Sequence, residues 1–213
     1  MNIINIIVAD DHPVVRAGLL RFMDNEDEIT VIGEASSGEQ VYSLFKQLKP
    51  DVLVIDVSMQ GMSGLEALRR ILIRDPDAKI IIYTLHAAPF FAGYAMNSGA
   101  MGYVTKLSDI NELIIAIKTV VAGKSYISSD IAQKMAALTT LNDENSFKYL
   151  TAREFEIFCL LAKGKSVNEV ADILNIGSKT VANYQTSIKQ KLNIQSKLEL
   201  VSLGMKYDVV PKV

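Results

Sequence analysis

Over its first 125 residues the chain alternates, five times, between a short Ile/Val-rich run and a stretch of helical periodicity, and few folds tolerate that order. The apolar runs fall at 3–9, 29–34, 52–55, 79–84 and 101–104, and helical patterns follow them at 13–19, 38–48, 64–73, 89–97 and 109–122. Runs apolar throughout, such as Val52 to Ile55, read as strands buried on both faces. Their alternation with helices implies a parallel sheet with right-handed crossovers and helices on both sides. The breakers Gly33, Pro50, Pro76 and Gly99 fall at joints. The fifth helix is the clearest, with Leu113, Ile114, Ile117, Val120 and Val121 on one stripe and Gly123 past its end. The predicted fold of this part is α/β, a doubly wound five-stranded parallel sheet of order 2-1-3-4-5.

The rest of the chain changes character. Ser128 and Ser129 are candidate caps for a short helix, Asp130 to Leu138. A polar, aperiodic stretch from Thr139 to Lys148 reads as a linker. From Thr151 onward the pattern is helical only. Thr151 with Glu154, Ser166 with Glu169, and Ser196 with Glu199 are start signals for helices, and Gly177-Ser178 opens another. Four short helices with a tight Asn175-Ile176-Gly177 turn between the second and third predict an all-α helix-turn-helix domain. The expected division is 1–124 for the α/β domain, 125–148 for a linker with a short helix, and 149–213 for the helical domain.

Composition narrows the class. Of 213 residues, 49% are hydrophobic and 22% charged, which describes a globular chain and not a disordered one. No apolar run approaches the roughly 18 residues of a membrane span. Ile3 to Ala9 is too short for a signal peptide and has no basic residue ahead of it. The single cysteine, Cys159, lies in an apolar helical pattern and fits a buried thiol in a reducing cytoplasm. Residues 1–125 hold 11 Lys/Arg against 15 Asp/Glu, a net of −4, whereas residues 149–213 hold 9 against 6, a net of +3. An acidic front and a mildly basic back suggest two domains with different partners.

Chemistry is concentrated at strand ends. Asp10-Asp11 follow the first apolar run and Asp56 ends the third. With strands one and three adjacent, the three acids share the carboxyl rim where open α/β sheets bind ligands. Thr84 and Lys106 end the fourth and fifth runs and add a hydroxyl and an ammonium. Carboxylates brought together repel, unless a cation or phosphoryl chemistry gathers them. The set suits aspartyl phosphorylation, with Asp56 as nucleophile, Asp11 helping to hold Mg2+, and Lys106 meeting the phosphoryl oxygens. His12 beside the acids could be taken for a catalytic or metal residue, but with Pro13 following it reads as the start of the first helix. His86 receives no role.

Through Asp10-Asp11, Asp56, Thr84 and Lys106 the first domain resembles a response-regulator receiver. The resemblance implies that Asp56 accepts phosphoryl from a sensor histidine kinase. It also implies that Asp10, Asp11, Asp56 and the Ser58 backbone carbonyl hold the metal, and that Thr84 and Tyr103 form the switch. Gln60 stands where the family usually has proline, and Leu85 is bulkier than the commonest residue at its place.

On the third helix of the second domain, about 100° per residue puts Ile188 and Leu192 within about 20° of Val181, with Tyr184 and Gln185 at the margins. Lys179, Ala182, Asn183, Thr186 and Gln190 cluster opposite. Periodicity alone reads equally as an ordinary amphipathic helix. The segments Leu150-Thr151-Ala152-Arg153-Glu154, Ala162-Lys163-Gly164-Lys165-Ser166, Ser178-Lys179-Thr180-Val181 and Ile188-Lys189-Gln190-Lys191-Leu192 resemble the LuxR-type helix-turn-helix. With the receiver, that resemblance points to the NarL/FixJ class of response regulators. It implies a DNA-reading set of Lys179, Thr180, Ala182, Asn183, Thr186, Lys189 and Lys191, in which Ala182, Asn183 and Thr186 face bases and the three lysines hold phosphates. Ala182 replaces a lysine common at that position. Asn pairs with adenine and the Ala and Thr methyls suit thymine, so an A·T-leaning half-site is expected.

The expected protein is therefore a cytoplasmic, Mg2+-using, phosphorylation-switched transcription regulator and not an enzyme. Its expected partners are promoter DNA, a sensor kinase and a second copy of itself when phosphorylated, with no membrane among them. Leu198, Leu200, Val201, Leu203 and Met205 on the last helix serve either the dimer or the domain core. A phosphatase is the competing class. A dehalogenase-type enzyme is expected to carry a second acid two residues past its nucleophile, where this chain has Ser58. A receiver acting without phosphate is a third reading, and the intact acid set argues against it.

Overall fold

A computed structural model describes residues 3–138 and 146–207, together with Val209. The expected linker at 139–148 lies, except for its last three residues, outside the described residues. The described chain forms two compact units, one of residues up to Ala87 with Ala95–Ala132, the other of Ala88–Tyr94 with residues from Gln133 onward.

The first unit is built on strands β1 (Ile4–Ala9), β2 (Ile29–Ala35), β3 (Val52–Ile55), β4 (Ile80–Thr84), β5 (Gly102–Thr105) and β6 (Tyr126–Ile127). They form one sheet of order β2-β1-β3-β4-β5-β6, in which every neighbouring pair is parallel. The five expected strands are present in the expected order, and a sixth short strand extends the edge. Helices α1 (Pro13–Met23), α2 (Gly38–Leu48), α3 (Gly64–Arg74), α4 (Pro89–Asn97) and α5 (Ile110–Val121) follow the first five strands in turn. Ile6, Val8, Val52, Val54, Ile81 and Val104 form one core with Leu19 and Met23 of α1 and Leu113, Ile117 and Val120 of α5. The alternate positions Ile7, Leu53 and Ile55 are also 0–1% exposed, as a strand covered on both faces requires. Each fully buried Ile, Leu or Val stabilises the fold by about 1.5–3 kcal/mol relative to exposure.

Parallel pairing fixes the rim. Val8 faces Val54 and Ala9 faces Ile55, so the residues that follow β1 and β3 emerge side by side. Thr84 faces Thr105 across β4 and β5, and the Lys106 N–H donates to the Thr84 carbonyl at 2.8 Å.

Helix α6 (Ser129–Leu138) begins at the expected place without the expected hydroxyl cap. Ser129 Oγ donates to Glu112 of α5 at 2.6 Å, and the buried Ser128 Oγ has no hydrogen-bond partner. In the second unit a 3-10 turn (Ser146–Tyr149) precedes α7 (Ala152–Ala162), α8 (Val167–Leu174), α9 (Ser178–Lys191) and α10 (Lys197–Lys206). Thr151/Glu154 and Ser166/Glu169 form complete capping boxes, and the Ser196 hydroxyl accepts the Glu199 N–H. Asn175, left-handed with φ 51°, ends α8 and turns the chain into α9. Phe147, Phe155, Phe158, Leu161, Val181, Ile188 and Leu200 are all buried. Cys159 is buried too, and that burial pushes its thiol pKa up, as an inert thiol requires. No helix of the described residues is long and apolar enough to cross a membrane.

Candidate functional site

The strand ends deliver the acids as expected. Asp10 and Asp56 are 0% and 3% exposed, and Lys106 Nζ reaches between them, 2.6 Å from Asp10 Oδ2 and 2.7 Å from Asp56 Oδ2. Burial, the largest single influence on Lys106, works against its charge. Hydrogen bonding and attraction from Asp10 and Asp56 together outweigh it and hold the ammonium above the usual lysine range. The remaining Asp56 oxygen, Oδ1, has a weaker partner, the Ser58 N–H at 3.4 Å. Asp11 lies at the mouth of the pocket, its side chain 20% exposed.

His12 does two things. It precedes α1 with Pro13 at the first helical position, as read from the sequence. Its ring also joins the acids, with Nδ1 2.8 Å from Asp11 Oδ1 and 3.3 Å from Asp10 Oδ1. Arg16 is a support that sequence reasoning missed: its guanidinium donates to the Asp10 carbonyl at 2.6 Å and to Glu34 at 3.3 Å.

Ligand atoms of Asp10, Asp11, His12 and Asp56 lie within 4.8 Å of one another. Asp10 Oδ2 and Asp11 Oδ1 are buried without an aligned hydrogen bond. Two carboxylates thus share one lysine while the third, Asp11, meets the His12 ring, and oxygen lone pairs remain to spare. Hard oxygen donors of this kind fit Mg2+, which binds through a few carboxylates and keeps the rest of its shell for water or phosphate.

The loop after Asp56 is tied down despite Gln60. Glu39 of α2 accepts the Met62 N–H at 2.9 Å, and the Gly38 N–H donates to the Met62 carbonyl at 3.0 Å. Gly61 takes a left-handed φ of 74°, and Ser63 caps α3 by accepting the Glu66 N–H. The stiffness expected of a proline comes here from the start of α2.

Thr84 and Tyr103 are 1% and 0% exposed. The Tyr103 hydroxyl donates to the His86 carbonyl at 2.7 Å, and the His86 N–H lies 3.4 Å from Thr84 Oγ1. His86, which the sequence left without a role, also places Nε2 3.1 Å from Ser58 Oγ. Leu85 is 60% exposed.

On α9, Val181, Ile188 and Leu192 are buried, while Lys179, Thr180, Ala182, Asn183 and Thr186 are exposed. The helical wheel is therefore reproduced. Thr186 Oγ1 donates back to the Ala182 carbonyl at 3.1 Å, and Lys189 Nζ donates to the Gln195 carbonyl at 3.2 Å. Lys191, expected on DNA phosphate, has its ammonium 2.6 Å from Glu154 Oε2. The same carboxylate accepts from Ser187 Oγ at 2.6 Å and from the Thr151 N–H at 2.7 Å. Burial, the largest influence on Glu154, works to raise its pKa. The bonds from Lys191, Ser187 and Thr151 outweigh it and hold the group at about 2.

A buried carboxylate set at the edge of a parallel sheet, joined in one chain to a helix-turn-helix, defines a class: the response regulators of two-component systems. The chain belongs to that family, in its NarL/FixJ class. Residues 6–118 match the response regulator receiver domain and residues 148–203 match the bacterial regulatory proteins of the luxR family. It is 39% identical over 206 residues to the response regulator UvrY of Escherichia coli K12, spanning 96% of this chain and 94% of that one. To the response regulator GacA of Pseudomonas aeruginosa it is 37% identical over 209 residues, spanning 97% and 98%. Among solved structures, the two-component response regulator RcsB in complex with DNA superposes with a TM-score of 0.63 at 25% identity, covering 94% of this chain and 97% of that one. The chain is thus a DNA-binding response regulator that controls transcription, and its family is one of regulators and not of enzymes.

Proposed function

We propose that phosphorylation of Asp56 by a sensor histidine kinase switches this regulator, and that the phosphorylated protein binds promoter DNA as a homodimer in the cytoplasm. The observation that carries the reading is Lys106 Nζ held between Asp10 and Asp56, 2.7 Å from the nucleophile's Oδ2. That ammonium stands where the charge of an arriving phosphoryl group has to be met. Oδ2 is engaged by the ammonium, whereas Oδ1 has only a long contact with the Ser58 N–H. Oδ1 is therefore the attacking oxygen. It forms the new P–O bond as the donor's P–N bond breaks, and the electron pair returns to the donor imidazole.

Asp10, Asp11, Asp56 and the Ser58 carbonyl hold the metal. Bound there, Mg2+ supplies positive charge to the phosphoryl oxygens. Thr84 turns toward the phosphoryl group. Tyr103, already inside with its hydroxyl on the His86 carbonyl, carries that movement into the segment after β4. On DNA, Ala182, Asn183 and Thr186 face bases, with Thr180 beside them, and Lys179 and Lys189 hold phosphates. Lys191 belongs to the helix support and not to the phosphate set, because its ammonium lies on Glu154. The RcsB–DNA complex supports the promoter-binding half of this reading.

The test is intact mass after incubation with phosphoramidate and Mg2+, with promoter binding measured in parallel. Wild type is expected to gain one phosphoryl group, to lose that gain when chelator removes the metal, and to bind DNA more tightly when phosphorylated. Asp56→Asn is expected to gain nothing. An equal gain in Asp56→Asn refutes Asp56 as the acceptor.

A further inference from the structure

Asp10 lies one residue past the end of β1, and each of its polar groups is held by a different part of the fold. Its N–H donates to the Ala35 carbonyl of β2 at 3.1 Å. Its Oδ1 accepts the His12 N–H at 2.8 Å, which folds Asp10-Asp11-His12 into an Asx turn. Its Oδ2 meets the Lys106 ammonium at 2.6 Å. Its carbonyl accepts Arg16 Nη1, also at 2.6 Å. The Arg16 side chain is 21% exposed, and its Nε reaches Glu34 of β2 at 3.3 Å. One guanidinium on α1 therefore spans from β2 to the turn that carries both acids. A peptide unit is planar, so fixing the Asp10 carbonyl toward Arg16 also fixes the direction in which the chain enters Asp11. Asp10 Oδ2 and Asp11 Oδ1, on either side of that peptide, are the two buried carboxylate oxygens without an aligned hydrogen bond among the described residues.

We infer that Arg16 is a positioning residue that sets the affinity of the Asp10–Asp11 pair for a divalent cation, through the Asp10 carbonyl and without touching the cation. The inference rests on the reading of Asp10 and Asp11 as metal ligands. Charge alone argues for the opposite effect. Arg16 is a cation within hydrogen-bond reach of a residue that is to hold a dication, so its removal should strengthen metal binding by electrostatics. Positioning predicts that its removal weakens binding, and the sign decides between the two. Loss of the hydrogen-bonded partners behind metal ligands commonly costs about 10- to 100-fold in metal affinity. The transfer step itself should be spared, because Lys106 reaches Asp56 from the end of β5 at 2.7 Å and shares no bond with Arg16.

Mn2+ serves as the probe: the same hard oxygen donors take it, and the spin resonance of the free ion reports what the protein leaves unbound. The full chain is titrated with Mn2+ without phosphodonor, and loading from phosphoramidate is then followed by intact mass over a range of Mg2+ concentrations. Arg16→Met keeps an unbranched stem and loses every donor, and it is expected to bind Mn2+ about tenfold or more weakly than wild type. Its Mg2+ midpoint for loading should rise by the same factor, with the rate at saturating Mg2+ unchanged. Arg16→Lys keeps the charge and a donor for the carbonyl but not the fork that also reaches Glu34, and it is expected to fall between Arg16→Met and wild type. If Arg16→Met does not fold, Arg16→Lys carries the test, and wild-type affinity in it overturns the inference. Unchanged or tighter Mn2+ binding in Arg16→Met, a saturating rate that falls as far as the midpoint rises, or an Arg16→Lys no better than Arg16→Met would each overturn it as well. Failure of the metal reading looks different: wild type binds no Mn2+, or Asp11→Asn binds it as tightly as wild type, and the role of Arg16 then falls with it.

Discussion

Gly64 shows how closely the residues around Asp56 are fitted. It is the first residue of α3, its N–H donates to the Val57 carbonyl at 3.1 Å, and its φ is not positive. What it lacks is a side chain. A Cβ built there would overlap the Asp56 carbonyl oxygen, lie 2.8 Å from the Asp56 carbonyl carbon and touch Ile55 Cγ2 at 3.0 Å. Those neighbours are backbone and buried strand, which do not swing aside. Gly64→Ala must push β3's end and α3 apart, moving Asp56 off the Lys106 ammonium. Overpacking of this kind costs about 1–3 kcal/mol. The expected outcome is a lower chemical-denaturation midpoint together with slower mass gain from phosphoramidate. Wild-type loading in a destabilised Gly64→Ala protein would show that the acceptor does not depend on this contact. In the sequence this glycine looked like any residue of the third helical pattern, because close approach of two backbones leaves no periodicity.

At the scale of elements, what was legible had a period and what was not had a partner far along the chain. Strands β1 to β5 each end within a residue or so of the predicted runs, and α2 and α4 coincide with theirs. Strand β6 was missed because two residues, Tyr126 and Ile127, are too few to carry a pattern; it exists because Gly102 and Tyr103 of β5 offer it a parallel edge. Glu154 shows the other limit. Its capping box with Thr151 was plain from local spacing, but its bonds to Ser187 and Lys191 reach 33 and 37 residues ahead. Those bonds brace the far end of α9 against the start of α7. A lysine that braces its own helix should not act as a phosphate contact, and salt dependence separates the two roles. Each phosphate contact adds about 0.9 to the slope of log affinity against log salt. Lys179→Met is expected to reduce the slope by about that much. Lys191→Met is expected to weaken binding with the slope unchanged. Promoter titrations at several salt concentrations decide it, and a loss of slope in Lys191→Met would return that residue to the phosphate set.

For the molecule as a whole, the question is whether acceptor and reader are energetically joined. The acid pocket and the exposed face of α9 were both legible because each is carried by motif residues at fixed spacing. Tyr126 and Ile127 complete the sheet of the first unit, and Ala88–Tyr94 group with the second. If phosphorylation of Asp56 controls DNA binding, linkage requires the control to run both ways by the same factor. Beryllofluoride with Mg2+ serves as a reversible stand-in for the phosphoryl group, so both halves of the cycle can be measured at equilibrium. Couplings of this kind commonly lie between about 5-fold and 150-fold. Promoter DNA is therefore expected to tighten beryllofluoride binding by the factor with which beryllofluoride tightens DNA binding. A homodimer that forms only with the phosphoryl group, and pairs with two half-sites, makes that factor grow with protein concentration below the dimerisation constant and level off above it. DNA that leaves the beryllofluoride affinity unchanged would mean that pocket and reader work independently. A coupling present but indifferent to protein concentration would place the switch within one chain instead of in the dimer.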